Sequence, residues 1–122
     1  MNDPILTALQ FNQCISNHDL ESLTSLMTDD HTFIDRDGTI HQSKKVMIDN
    51  WKQFFKMFPK YKNTFEHVRV KDNLVVMLGY AYWSENQPYD PAIWTANIIK
   101  DLVREWRIYN DTLENREILN LV

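Results

Sequence analysis

The sequence contains very little glycine, cysteine and proline, and each shortage excludes a class of protein. Among its 122 residues are two glycines, four prolines and one cysteine. Long flexible linkers are rich in such small or stiff residues, so we expect a compact chain. Cys14 has no second cysteine to pair with, which excludes a disulfide framework within the chain and fits a reducing cytoplasm.

Long apolar runs and basic clusters are missing as well. The longest apolar run, residues 74–83, is far shorter than the ~20 residues that a membrane-spanning helix needs. The net charge is -4 and no basic stripe occurs, so we expect neither a membrane nor a nucleic acid as partner. The first residues, MNDPILTALQF, lack the layout of a signal peptide. These features predict a soluble cytoplasmic protein with a single domain over residues 1–122.

The first part of the chain has the spacing of helices. Asp3 followed by Pro4 is typical of a helix start, and apolar residues then recur at helical intervals. Asn17 or His18 is expected to cap a second, short helix, which we expect to end at residues 28–30.

A third helix is predicted by an aromatic stripe. Ser43 is a good helix cap, and Pro59 cannot continue a helix. Between them, bulky residues fall on one helical face: Met47, Trp51, Phe54, Phe55 and Phe58. Core packing explains most of such a stripe, and part of it could line a cavity, because binding pockets are largely apolar and aromatic.

Strand-like alternation appears at residues 31–35 (HTFID) and again after the third helix. The later alternation predicts four long antiparallel strands joined by hairpins, at residues 63–70, 74–83, 92–100 and 102–111. Helices first and strands afterwards indicate the α+β class, with three helices on one face of a curved sheet.

The strand at residues 74–83 is apolar on both of its faces. Three helices can cover only one face of the sheet, so the outer face needs another cover. A second copy of the chain is the simplest cover, and we therefore predict a homodimer through the outer sheet face.

Four features of the chain point to one family: the order of the elements, the segment HDLESLTSLMTDDHTFIDRDG, the aromatic helix ending at Pro59 and the last strand VREWRIYND. Together they resemble the nuclear transport factor 2-like superfamily, in its SnoaL-like and ketosteroid-isomerase-like branch. The resemblance covers nearly the whole chain. It implies a cone-shaped, cystatin-like fold in which three N-terminal helices pack on a strongly bent, mostly antiparallel sheet that encloses a pocket. Because this fold hosts isomerases, cyclases, dehydratases and non-enzymatic binding modules, it leaves the activity open.

The segment DDHTFIDRDG resembles the part of ketosteroid isomerases that carries the general base, and Asp35 falls on the catalytic aspartate. A carboxylate on a pocket wall can take a proton from a carbon beside a carbonyl and return it elsewhere. The resemblance also implies two donors for the enolate oxygen. Phe11 stands where one of them, a tyrosine, would be, and Ala96 or Asn97 stands where the other, an acid, would be. The Asn97 amide could still donate one hydrogen bond.

The polar residues also have simpler interpretations. Asp35 could merely bond the backbone of the turn that follows the strand, and a close approach of Arg36 would weaken it as a base. His31 and His41 could shuttle protons, but we expect them to be solvated loop residues. The four histidines lack metal-ligand spacing and no cysteine cluster joins them, so we expect no metal and no cofactor.

The expected pocket has aromatic walls and a few polar groups: Phe11, Trp51, Phe54, Phe58 and Trp94, with Asn97 and Asn110. Asp111, beside Asn110, is expected to cap a short C-terminal helix instead. Such a pocket would suit a flat or cyclic apolar small molecule.

The leading functional hypothesis is a small-molecule-binding SnoaL-like protein that acts as a cofactor-independent isomerase or cyclase, by proton transfer on an apolar cyclic carbonyl compound. One alternative is a non-catalytic binding or dimerisation module of the same fold. Another is a dehydratase, which would need His31 or His41 beside Asp35. An open pocket of ~300 Å³ or more with Asp35 on its wall would favour ligand binding.

Overall fold

The fold follows the expected order of helices and then strands, with an additional short strand before the third helix. A computed structural model describes residues 3–122. Its elements are α1 Pro4–Ser16, α2 Leu20–Ser25, β1 Met27–Ile34, β2 Ile40–Gln42, α3 Lys44–Met57, β3 Lys62–Lys71, β4 Leu74–Tyr82, β5 Asp90–Ile99, β6 Leu102–Asn110 and α4 Leu113–Ile118. Over residues 3–122, no helix has both the length and the apolar character that crossing a membrane requires.

The starts of α1 and α3 are fixed by the expected caps. The Asp3 carboxylate accepts a hydrogen bond from the Ile5 backbone N–H, 2.9 Å away, and Pro4 opens the helix. The Ser43 hydroxyl accepts from the backbone N–H of Val46. Both predicted helix starts are therefore confirmed, and α3 also ends, as predicted, just before Pro59.

The prediction that Asn17 or His18 caps α2 is wrong. Asp19 is the cap, and its carboxylate accepts a hydrogen bond from the Ser22 backbone N–H at 3.2 Å. His18 instead turns the chain with φ +55°, and its ring stacks on Phe55 with a centroid distance of 4.4 Å.

Residues 28–30 do not end α2, as the sequence suggested, but belong to β1. β1 runs parallel to β6, with Met27 opposite Val103. Pairing with a distant strand outweighs the local turn preference of Asp29 and Asp30, whose side chains remain exposed.

The sheet has six strands in the order β2-β1-β6-β5-β4-β3, and all neighbours are antiparallel except β1 and β6. Register shifts interrupt the β1–β6, β3–β4 and β5–β6 pairings, and such irregularities bend and twist strands. The β5–β6 hairpin turns through Lys100 and Asp101, both with positive φ, as a tight primed turn requires. The sheet is curved and unclosed.

Large aromatic side chains fill the space between α1 and the sheet. Phe11, Trp94 and Trp106 are fully buried. The Phe11 ring lies 4.8 Å from that of Trp106, and Phe65 lies 5.1 Å from Trp94 between ring centroids. This part of the cone is therefore core, with the chain's own aromatics in place of a pocket.

The outer face of the sheet is partly covered by the chain itself. Ile93, which alternates with the core residues Ala92 and Trp94, is fully buried. Arg69 of β3 donates a hydrogen bond to the backbone oxygen of Asn120 at 3.2 Å, so the segment after β6 returns towards β3. A second copy of the chain is therefore not needed to cover the whole outer face, and the homodimer stays a prediction.

Candidate functional site

A cavity of about 320 Å³ opens between α3, the turn after β1 and the end of β4. One wall is the face of α3 that carries residues at intervals of three and four: Met47, Asn50, Trp51, Phe54 and Met57. The periodicity that predicted this helix also produces the wall, because i, i+3, i+4 and i+7 side chains project together.

The remaining apolar wall comes from the sheet and the end of β4. Phe33 of β1 meets Trp51 edge-on, with ring centroids 5.8 Å apart. Ile108 of β6 and Trp83, just after β4, complete the lining. Trp83 also packs against Tyr61 at 4.7 Å between centroids, so the aromatic wall is continuous around the end of α3.

Polar groups also reach this cavity: Asp35, Arg36, His41, Asn50, Gln53 and Tyr61 line it. The pleat of β1 explains why two of them lie together. His41 pairs with Phe33 across the β1–β2 ladder, and Asp35 follows Phe33 by two positions, so all three are on one face.

Asp35 lies at the cavity rim, at the head of the β1–β2 turn, and its side chain is exposed. Its backbone N–H donates to Thr39 O at 3.0 Å and its backbone oxygen accepts from Gly38 N–H at 2.9 Å. Gly38 adopts φ +85°, which glycine tolerates best. The Asp35 carboxylate also accepts from the Arg36 backbone N–H at 2.8 Å, so one oxygen bonds the turn while the carboxylate borders the cavity.

The Arg36 side chain is bound to Asp90. Its two terminal nitrogens donate to the two Asp90 carboxylate oxygens, at 3.2 and 2.7 Å, and the Trp83 indole N–H donates to the same carboxylate at 2.9 Å. The side chains of this ion pair are 24% and 22% exposed. The Arg36 guanidinium therefore pairs with Asp90 and not with Asp35, so the expected weakening of Asp35 as a base by this pairing does not apply.

Tyr61 is the most buried polar side chain of the cavity wall, with 4% of its surface exposed. Its ring packs edge-on against Phe54 at 4.8 Å between centroids. Burial strongly raises the pKa of the Tyr61 phenol, and the nearby Arg36 guanidinium and Asn63 side chain oppose this only in part. The hydroxyl therefore keeps its proton at neutral pH and can act as a hydrogen-bond donor.

Three of the residues predicted for the pocket lie on its wall: Asp35, Trp51 and Phe54. Phe58 packs just behind that wall, 5.0 Å from Phe54 and 4.9 Å from Trp83 between ring centroids.

The other four predicted residues lie outside the cavity lining. Phe11 and Trp94 belong to the packed core under α1. Asn97 alternates with the core residues Ala96 and Ile98 and so lies on the opposite face of β5. Asn110 is exposed at the end of β6, where its backbone oxygen accepts from the Asn115 amide at 2.8 Å.

Both histidines of the β1–β2 region differ from the expected solvated loop residues. His31 is fully buried, and its Nδ1 lies 2.7 Å from the backbone oxygen of Val103. His41 is half-buried in β2 on the cavity wall. For His41 the expectation failed because β2 was not predicted. For His31 it failed because the strand was predicted to begin at this residue, whereas β1 begins at Met27 and places His31 in its interior.

Asp111 does not cap α4. The Thr112 hydroxyl accepts the capping hydrogen bond from Asn115 N–H, while Asp111 forms a two-bond ion pair with Arg116, at 2.6 and 2.8 Å. Within residues 3–122, no three His, Cys, Asp or Glu side chains are grouped so that they could hold a metal ion.

Sequence reasoning missed Tyr61, Trp83 and Asp90 as parts of the site. Tyr61 sits between the end of α3 and β3, where no periodicity applies. Trp83 was assigned to the strand at residues 74–83, which is apolar on both faces, so no pattern indicated which of its residues meets the cavity.

An α+β domain in which a long helix and a curved sheet leave a cavity at one end is the cone architecture of the nuclear transport factor 2-like class. The profile of the SnoaL-like domain matches residues 8–97, well over half of the chain. The chain therefore belongs to the SnoaL-like domain family.

Solved structures agree with this fold. A proposed SnoaL-like polyketide cyclase from Shewanella putrefaciens CN-32 is 18% identical, with a TM-score of 0.80 over 100% of this chain and 88% of that one. An uncharacterised cystatin-fold protein from Novosphingobium aromaticivorans is 14% identical, with a TM-score of 0.78 over 90% and 100%. An NTF2-like protein of unknown function from Cytophaga hutchinsonii is 12% identical, with a TM-score of 0.75 over 98% and 96%. No match to the chain is found among curated proteins.

Proposed function

We propose that the cavity binds an apolar, cyclic carbonyl compound and that Asp35 moves a proton between two carbons of it without a cofactor. The observation that carries this proposal is the cavity of about 320 Å³ with aromatic walls and a carboxylate on its rim. The similarity to a proposed polyketide cyclase, although distant, supports the same chemical class of ligand.

The cavity volume limits the size of the ligand. At about 320 Å³ it lies near the lower end of the range for small-molecule pockets, roughly 300–1,000 Å³. A compound of one to three fused rings is of the size that such a pocket favours. The aromatic core around Phe11 and Trp94 closes the deeper part of the cone, so the ligand would be held at the open end.

Asp35 is suited to the base role by its surroundings. Its second carboxylate oxygen is free of the turn hydrogen bond, and Asp90 holds the neighbouring Arg36. A carboxylate at the rim can remove a proton beside a carbonyl and return it to another position.

The test is deuterium exchange into 2-tetralone, a two-ring ketone with acidic α-hydrogens. In D2O, the wild-type protein should accelerate incorporation of deuterium at the α-carbons, measured by proton NMR against a buffer blank. Asp35→Asn should reduce the enzymatic rate at least about a hundredfold, because general base catalysis commonly contributes that much.

Asp29→Asn is the matched control. Asp29 is an exposed acid of β1 away from the cavity lining, so its variant should keep the wild-type exchange rate. The proposal fails if 2-tetralone does not bind, or if Asp35→Asn exchanges deuterium as fast as the wild type does.

A second candidate, a non-catalytic binding module, is favoured by the exposure of Asp35 and by its hydrogen bond to the turn backbone. In that case 2-tetralone binds in the cavity but its exchange rate equals that of the blank.

A dehydratase is favoured by one specific observation, the position of His41 on the same strand face and cavity wall as Asp35. An imidazole beside a carboxylate can protonate a leaving hydroxyl. Loss of water from 4-hydroxy-2-tetralone, monitored by the absorbance of the aromatised product 2-naphthol, would support this activity if His41→Asn abolished it.

A further inference from the structure

We propose that Tyr61 and Arg36 form a donor pair that holds the ligand's oxygen while it carries negative charge. This inference rests on the proposed function and adds the hydrogen-bond donors that the proposed proton transfer requires. Phe11 has no hydroxyl and Asn97 lies on the other face of the sheet, so neither position that the resemblance pointed to supplies a donor at this cavity.

Tyr61 supplies a neutral hydroxyl at the cavity wall. Its side chain is 4% exposed and its ring is fixed between Phe54 and Trp83. Burial raises the pKa of the phenol, so it remains a donor through the neutral range. A buried, preorganised donor stabilises a developing charge more than water does, because it does not have to reorient.

Arg36 supplies a fixed cation on the same wall. A guanidinium has five N–H groups. Asp90 accepts from both terminal nitrogens and Pro91 O lies 3.5 Å from one of them, which leaves the Nε–H and one terminal N–H outside these bonds. Asp90 and Trp83 thereby hold the guanidinium in place without using all of its donors.

Trp83 links the two donors on the cavity wall. Its ring packs against Tyr61 at 4.7 Å between centroids, and its indole N–H donates to the Asp90 carboxylate that holds Arg36. The Arg36 guanidinium also lowers the pKa of the Tyr61 phenol, in opposition to burial. Arg36 follows Asp35 directly in the chain, and the two donors and the base line the same cavity.

The proton transfer then balances within the site. Asp35 takes the α-proton, the electron pair of the broken C–H bond forms the carbon–carbon double bond, and the carbonyl oxygen gains the charge. Tyr61 and Arg36 hold that oxygen by hydrogen bonds. The reverse movement returns the proton from Asp35 to carbon, so no oxidant, reductant or second substrate is required.

The test compares 2-naphthol, which resembles the enol of 2-tetralone, with naphthalene, which has the same rings but no oxygen. We expect the wild-type protein to bind 2-naphthol at least about tenfold more tightly than naphthalene, measured by titration of intrinsic fluorescence. We also expect bound 2-naphthol to ionise at a lower pH than the free compound, measured by absorbance, because the donor pair favours the anion.

Two variants remove the donors. Tyr61→Phe removes one hydroxyl, and the double variant R36M/D90N removes the guanidinium without leaving its acid unpaired. Each should reduce the preference for 2-naphthol several-fold and raise its ionisation pH towards that of the free compound, while binding of naphthalene persists. Tyr82→Phe and Arg104→Met are matched controls outside the cavity lining and should behave as wild type.

The outcomes separate this inference from the proposed function. The donor pair would be disproved if the wild type bound both compounds with equal affinity. It would also be disproved if both variants kept the wild-type preference for 2-naphthol and its ionisation pH. In either case ligand binding would remain intact. If the wild type binds neither compound, the proposed function fails as well.

Discussion

At the scale of single residues, burial changes the chemistry of His31 most clearly. The ring is fully enclosed, and its Nδ1–H donates to the Val103 backbone oxygen at 2.7 Å. Its Nε2 has no hydrogen-bond partner among the described residues. Burial lowers the pKa of His31, the Val103 bond and Asp30 oppose that shift, and Lys44 adds to it. The fold therefore contains a neutral imidazole that resists protonation.

This predicts a loss of stability in mild acid. In the unfolded chain His31 has the ordinary histidine pKa of about 6.5, whereas in the folded chain its pKa is lower. Just below pH 6.5, the unfolded chain therefore binds a proton at His31 and the folded chain does not. The free energy of unfolding should therefore fall as pH falls, by at most roughly 1.4 kcal/mol per pH unit from this group. Urea unfolding at pH 7.5, 6.5 and 5.5 measures the slope.

His31→Gln should be less stable than wild type at pH 7.5 and should have a flatter pH dependence. His67→Gln, which changes an exposed histidine of β3, should keep the wild-type slope. A wild-type slope in His31→Gln would show that another group causes the acid sensitivity.

The sequence predicted individual site residues only in part. Trp51 and Phe54 were found because helical spacing determines which side chains project together. Asn97 was misplaced because it lies on a strand, where a shift of one residue exchanges the two faces. Trp94 does face inward, but it lies in the packed core under α1 and not at the cavity. The sequence offered no signal for Tyr61, whose place depends on contacts with Phe54 and Trp83.

At the scale of elements, the Arg36–Asp90 pair joins the β1–β2 turn to the start of β5. These strands are separated by β6 in the sheet, so no backbone pairing fixes the turn relative to the β4–β5 loop. The ion pair and the Trp83 hydrogen bond provide that link at the cavity. Since both side chains are largely removed from water, breaking this ion pair should lower the free energy of unfolding.

We predict that Asp90→Asn lowers the free energy of unfolding by about 1–3 kcal/mol, because the guanidinium loses a charge-assisted partner. The control is Glu85→Gln in the loop that precedes β5, where an exposed pair with Lys60 should contribute nothing measurable. Urea unfolding at neutral pH measures both. Equal stability of the two variants would contradict the role given to Asp90.

Local signals predicted helices better than they predicted the first strands. Caps and stops located α1 and α3 because they act within a few residues. β1 and β2 depend on partners far along the chain, with Met27 opposite Val103 for example. Such non-local pairing overrode the turn preference at residues 28–30, and local rules could not anticipate it.

At the scale of the whole molecule, the segment after β6 gives the predicted homodimer interface a more specific location. The C-terminal segment partly covers the outer face, and this segment itself carries exposed apolar residues: Leu113, Ile118 and Val122, at 65%, 64% and 71%. Burying them against a second copy would remove this apolar surface from water.

Light scattering at micromolar concentration should give twice the chain mass of 14.6 kDa. Replacing both Leu113 and Ile118 by aspartate should give the monomer mass, because charges would have to be buried in the interface. The same change at Leu6, an exposed residue of α1, should leave the dimer intact. A monomeric wild type would disprove the prediction.

Ligands should bind at the cavity by α3 and not in the aromatic core under α1. The four tryptophans divide between these places: Trp51 and Trp83 line the cavity, whereas Trp94 and Trp106 are fully buried in the core. Their indole N–H groups give separate signals in a proton–nitrogen correlation spectrum, which Trp→Phe variants would assign.

The most direct measurement is a titration of the labelled protein with 2-tetralone, followed at these four signals. The Trp51 and Trp83 signals should shift with the concentration of the ketone, while those of Trp94 and Trp106 remain in place. Shifts confined to Trp94 and Trp106, or no shift at any of the four signals, would contradict ligand binding at the cavity by α3.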